Sequence, residues 1–144
     1  MKTLFKLNLC LLLLLAFSCK KEEVSSTTSN NPSNGPTSGF KWTENGGAEN
    51  IADSSRFTAQ YKTLFAWKGT KKFEINLNAS SVATYTIGNG NALAFVSSGL
   101  HSATTGSIIV TANSGSKISG TFDVTMNSGG FTNIKGTFTD INIK

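Results

Sequence analysis

The chain has 144 residues, 13 basic and 8 acidic side chains, a formal net charge of +5 and 38% hydrophobic residues, enough for one domain with appendages rather than several domains. Its only cysteines are Cys10 and Cys19 and its only histidine is His101, which excludes a disulfide-stapled scaffold and leaves a poor ligand set for zinc.

Lys2 and Lys6 open the chain with a short basic segment, and Leu7 to Phe17 follows as an apolar run. The run has the length of a secretory h-region and falls short of the roughly 20 apolar residues that span a bilayer. It stops at Ser18-Cys19, and Lys20-Lys21-Glu22-Glu23 comes next. Ala16-Phe17-Ser18-Cys19 resembles a bacterial lipobox, with Phe17 a departure from its strictest form. In that resemblance the chain is cut between Ser18 and Cys19, the Cys19 thiol takes a diacylglyceryl group and its amine is acylated. Two or more acyl chains anchor stably where one does not. The plain secretory alternative uses Ser18 and Ala16 as the small residues before a cut and involves no lipid. Cysteine usage favours the anchor: cleavage removes Cys10, and lipidation accounts for the lone remaining thiol. Lys20, Lys21, Glu22 and Glu23 resemble the export tags that carry some lipoproteins to the outer face of the outer membrane; the alternative is a solvated spacer.

Val24 to Ser38 reads VSSTTSNNPSNGPTS. It holds too little apolar surface to offset the entropy of ordering, so a disordered tether is expected. The resulting division is a lipoprotein signal peptide over 1–18, the lipidated cysteine and tether over 19–38, and an all-β domain over 39–144. Removing Met1 to Ser18 takes away Lys2 and Lys6, leaving eleven basic against eight acidic residues, or +3. No basic stripe interleaved with aromatics appears, so no nucleic-acid partner is expected.

The domain alternates with period two, as half-buried strands require. Phe73, Ile75 and Leu77 share a face, Ala83 to Ile87 repeats the pattern, and Ile118, Gly120, Phe122, Val124 and Met126 form a third run. Turn signals at Lys68 to Lys71, Gly88 to Asn91, Asn113 to Ser116 and Asn127 to Gly130 separate the runs. These connections are too short for crossover helices, so antiparallel pairing is expected. Only Asp53 to Tyr61 suggests a short helix, capped by Asp53 or Ser54. Ile118-Ser-Gly-Thr-Phe122 recurs as Ile134-Lys-Gly-Thr-Phe138, which predicts neighbouring strands with like demands. The apolar phase then slips between Phe138 and Ile141, and a β-bulge near Thr139-Asp140 would restore the face. The expected fold is an antiparallel two-layer β-sandwich of about eight to ten strands, with a closed or partly open β-barrel as the alternative.

The segments FKWTENG, ADSSRF, YKTLFAWKG, FEINL, ATYTIGNGNALAF, SGTFDVTM and IKGTFTDINI resemble a family of small all-β Bacteroidota lipoproteins of unknown function. The likeness covers nearly all of Gly39 to Ile143. It is uninformative about activity and carries over no catalytic residue; the expected address, lipid-anchored at the outer membrane of the cell envelope, comes from the lipobox and the Lys20 to Glu23 segment.

Sites of chemistry are sparse. His101 has no partner cysteine or second histidine nearby, and no G-x-S-x-G elbow is present. The domain carboxylates Glu44, Glu49, Asp53, Glu74, Asp123 and Asp140 form no local cluster of the kind glycoside hydrolysis uses. No metal, cofactor or nucleotide loop is expected. Trp42 and Trp67 lie near strand ends and, with Tyr61, Tyr85 and Phe95, are candidates for a ligand-contacting platform; the competing reading puts these rings in the core. The functional expectation is a membrane-anchored, non-catalytic binding or interaction module of the bacterial cell envelope, with a carbohydrate or protein as partner. A carbohydrate-active hydrolase and a purely structural envelope lipoprotein are the alternatives.

Overall fold

The computed structural model describes residues Gly39–Lys144. The expected signal segment, the Ser18-Cys19 junction, Lys20 to Glu23 and the tether lie outside the described residues. Ten strands follow in chain order: β1 Phe40–Glu44, β2 Asn50–Ile51, β3 Ser54–Thr58, β4 Thr63–Lys68, β5 Lys71–Asn76, β6 Ala83–Thr86, β7 Ala92–Val96, β8 Leu100–Asn113, β9 Lys117–Ser128 and β10 Phe131–Asn142. Among the described residues there is no helix. The strands form one antiparallel sheet in the order β2-β1-β10-β9-β8-β7-β5-β4-β3, with β6 also paired to β8. The sheet curls back on itself, and Phe57 of β3 bridges Ile143 in parallel just beyond β10.

Strand β8 makes the curl. Its first residues pair with β7, and its later ones with β6, while β9 runs along its other edge. The exchange of partners falls at Gly106, whose φ is 114°. A Cβ there would overlap the Asp123 carbonyl and the Val124 Cα. Only glycine combines that dihedral with so close a backbone approach.

The inner face holds the core. Phe40, Trp42, Phe73, Phe95 and Phe122 come from β1, β5, β7 and β9 and are at most 2% exposed. Phe40 and Phe73 bring the two halves of the sheet together, at 5.1 Å between ring centroids. Phe73 also stacks on Phe95 at 4.6 Å.

The repeated Gly-Thr-Phe motif has a specific physical basis. In the β9–β10 register Gly136 faces Phe122 and Gly120 faces Phe138. A Cβ on either glycine would overlap the ring of the phenylalanine opposite. Each glycine therefore makes room for the other copy's aromatic ring, and both rings point inward, at 2% and 1% exposure. The slip in apolar phase is also where the sequence puts it. The register shifts between Phe138 and Ile141, Asp140 adopts φ 52°, and its N–H donates to Ser119 Oγ at 2.8 Å.

Two expectations need correction. Asp53 to Tyr61 forms no helix: Ser54–Thr58 is β3, paired residue for residue with β4. Burying Phe57 and completing the β4 ladder outweigh any local cap, and Asp53 instead accepts the Gly69 N–H at 2.8 Å. Ala83 to Ile87 does not present an even apolar face, since Tyr85 is buried but Ala83 is exposed and Ile87 half-buried. The Gly88–Asn91 turn closes on its own bridge, but its two strands separate, β6 to β8 and β7 to β5.

A candidate binding surface on the outer face

Strand β4 reads Thr-Leu-Phe-Ala-Trp-Lys and carries apolar side chains on both faces. Leu64 and Ala66 are core residues, so the pleat turns Phe65 and Trp67 outward, where both are half-buried. Their rings stack at 5.7 Å and 23°. Arg56 lies opposite Phe65 on β3, and Lys72 lies opposite Trp67 on β5. The Arg56 guanidinium stands 5.5 Å from the Phe65 ring centre and 5.3 Å from that of Trp67. Lys72 Nζ stands 4.9 Å from Phe65. Two cations thus flank one aromatic pair, in contacts worth about 0.5–1 kcal/mol each at exposed sites. Further along the same face, Val96 of β7 pairs with Leu100 of β8, and Leu100 is 69% exposed.

The two tryptophans therefore part company. Trp67 belongs to this outer ladder. Trp42 is 1% exposed and its Nε1–H donates to Glu44 Oε1 at 2.8 Å, so its ring is not offered to a ligand. Tyr85 and Phe95 are likewise core residues, and Tyr61 stands exposed beyond β3. The five aromatics do not assemble into a platform.

A second feature lies on the outer side of β1, β10, β9 and β8. It is a shallow depression of about 330 Å³, bordered by hydroxyls and charges that include Thr121, Thr137, Glu49 and Asp123. Lys135 Nζ lies 2.8 Å from Asp123, and Lys41 Nζ 3.1 Å from Glu49. The hydrogen bonds from Lys135 and Asn133 outweigh slight burial and hold the Asp123 carboxyl below its ordinary range. Asp123 stays ionised, which suits a base or a ligand and not a proton donor.

The remaining carboxylates are also engaged. Glu44 pairs with Lys71, Glu74 with Lys72 at 3.1 Å, and Asp140 with Lys117 at 3.9 Å. Burial raises the Glu44 pKa, but hydrogen bonds from Lys71 and Trp42 outweigh it, and the net shift is downward. Among the described residues no group of three or more acidic, histidine or cysteine side chains is placed to hold a metal ion.

His101 lies in β8 and is 6% exposed. Its Nδ1 is 3.1 Å from Ser128 Oγ and its Nε2 is 3.4 Å from Ser97 Oγ. Phe131 packs edge-on at 4.9 Å, and a Cβ on Gly129 would overlap the imidazole. No carboxylate hydrogen-bonds the ring among the described residues, so it is held as a packed core group and lacks the third member of a triad.

Sequence reasoning missed Arg56 and Phe65. The signal was present: a strand with one buried face should carry polar residues at positions 65 and 67, and this one carries an aromatic at each. The search for relatives adds nothing to the geometry, since no family model, curated protein or solved structure matches the chain.

Proposed function

We propose that the chain is a lipid-anchored, non-catalytic binding module of a bacterial cell envelope, held through Cys19 at the outer membrane and working through the outer face of β3, β4 and β5. The observation that carries this reading is the Phe65–Trp67 stack. A one-sided core has no use for two large rings turned outward, whereas a binding surface needs rigid amphipathic anchors of this kind. The resemblance of Ala16 to Cys19 to a lipobox, and of the domain to small Bacteroidota lipoproteins, supports the address. The architecture fits a partly open barrel better than two stacked sheets, because β8 runs through both halves and Phe57 reaches Ile143.

The hydrolase alternative would have to use Glu49 and Asp123, which border the same depression. Both are ion-paired with lysine, and the Asp123 carboxyl is held below its ordinary range, which does not suit it to be the protonated acid that glycoside cleavage requires.

Acrylamide quenching of tryptophan emission tests the proposal. Trp42 is sheltered and Trp67 is reachable, so quenching of the purified lipidated chain in detergent reports mainly Trp67. In isolated envelopes that quenching should fall at least about twofold, the expectation for a contact ring withdrawn from solvent. Trp67→Phe should show no such difference. Equal quenching in detergent and in envelopes would rule the binding surface out.

A further inference from the structure

We infer that the Arg56–Phe65–Trp67–Lys72 face docks onto the anionic phospholipid headgroups of the membrane that holds the chain, an inference that rests on the lipid anchor proposed above. Three observations carry it.

The first is composition. Trp67 and Phe65 present ring surface, Val96 and Leu100 extend it with aliphatic surface, and Arg56 and Lys72 flank it. Aromatic rings and long cationic side chains are the residues that settle at a membrane–water boundary, with rings at headgroup level and charges reaching the phosphates. The second is charge. Lys72 is paired with Glu74, which lies opposite Phe65 on β5, so the uncompensated charge of the face is that of Arg56, which is exposed and forms no ion pair among the described residues. Its guanidinium is held beside both rings, and its donors suit a phosphate. The depression on the other side of the molecule lacks this property, because Glu49 and Asp123 neutralise Lys41 and Lys135.

The third is where the anchor joins the domain. The described chain begins at Gly39, whose carbonyl accepts the Thr139 N–H at 3.0 Å. Four residues further on, Ile143 bridges Phe57, the neighbour of Arg56. At about 3.3 Å per residue the junction is on the order of 13 Å from β3. A flexible tether, as expected from the sequence of 19–38, would reach about 25 Å, against a radius of gyration of about 13 Å for a domain of this size. Such a tether would bring the face within reach of the bilayer at an effective concentration on the order of millimolar. A contact too weak to matter in free solution is then populated.

The test reconstitutes the purified lipidated chain into vesicles of phosphatidylcholine alone, or mixed with phosphatidylglycerol, with bromine atoms high on the acyl chains as quenchers. The account expects Trp67 emission to be quenched on the anionic vesicles and much less on the neutral ones, while Trp42 emission stays constant. Arg56→Gln should lower the docked-to-undocked ratio about fivefold, the equivalent of roughly 1 kcal/mol for an unpaired basic residue at an anionic surface, and Lys72→Gln should lower it too, because it leaves the Glu74 carboxylate unpaired on the face. Arg56→Lys should restore most of it. Circular dichroism confirms that each variant keeps its strands. Equal quenching on the two vesicle types, or Arg56→Gln without effect, would overturn the inference. So would inorganic phosphate in detergent shifting Trp67 emission as the vesicles do, because the site would then take a soluble anion. Shielding of Trp67 in envelopes without quenching in vesicles would sink the headgroup assignment and leave the binding module standing. Loss of the chain from vesicles on washing would sink the anchor itself.

Discussion

Truncating Phe122 to alanine removes a ring that is 2% exposed, stacks on Phe40 at 5.4 Å and reaches Phe73 at 5.9 Å. The space cannot collapse easily, because Gly136 lies opposite and has no side chain to move in. The cost should sit near the middle of the phenylalanine-to-alanine range, at about 4 kcal/mol. That is a large share of the roughly 5–15 kcal/mol a domain has. With a urea slope of about 2 kcal/mol per molar, the midpoint should fall by about 2 M. Phe138→Ala should behave alike, since Gly120 faces it. The opposite perturbation is as informative. Gly136→Ala would drive a methyl group into the Phe122 ring and the Lys41 carbonyl, and overpacking of this kind typically costs about 1–3 kcal/mol. Outward neighbours supply the control: Thr121→Ser should stay within about 0.5 kcal/mol, and Asp123→Asn should lose no more than the roughly 1 kcal/mol of an exposed ion pair. Urea melts of residues 39–144 would read all five variants. A wild-type midpoint for Gly136→Ala or Phe122→Ala, or a loss of several kcal/mol for Asp123→Asn, would refute the reciprocal packing.

Glu44 has a folded pKa below its ordinary value, so its contribution is present above about pH 4.3 and is lost as pH falls through the depressed folded value. Melts between pH 6 and pH 3 should therefore show a shallower acid limb for Glu44→Gln than for wild type, and an identical limb would contradict the Lys71 and Trp42 assignment. Asp140 holds a positive φ at the β10 bulge, so Asp140→Gly should be neutral or stabilising by up to about 1 kcal/mol, while Asp140→Val should destabilise by about 1–2 kcal/mol. Thermal melts would separate the two. Asn45 Oδ1 accepts from the Thr132 N–H, the Thr132 hydroxyl and the Asn133 N–H, stapling β1 to the start of β10. Asn45→Ala should speed amide exchange at Thr132 and Asn133 before it does so at Ile134, and uniform exchange would contradict that role.

Legibility followed the physics of each element. Period-two alternation carries a face assignment, and β5 and β9 face as their sequences require. The bulge at Asp140 was readable because a slip in apolar phase has few remedies in a strand. Long-range features were not readable. The bend at Gly106 depends on the backbone of β9 approaching within overlap distance of any side chain, and one strand's sequence does not encode its neighbour's position. Asp53 to Tyr61 looked helical because a local cap is visible in sequence, whereas the β4 ladder that overrides it is not. For the candidate surface, Trp67 was visible as a large residue but its face was not assigned. Arg56 became meaningful only when register set it against Phe65. Asn91 shows the same limit: it reads as a turn residue, yet it is 6% exposed and bonds both the Asn78 N–H and the Thr86 carbonyl.

The proposed membrane address and the proposed docking of the outer face both rest on a lipid anchor at Cys19. The intact mass of the mature protein extracted from membranes tests it most directly. The account predicts a chain that begins at Cys19 and carries a diacylglyceryl thioether together with an amide-linked acyl group, and predicts that Cys19→Ser removes both. A mature chain with an unmodified Cys19, or one that begins at any other residue, would contradict it.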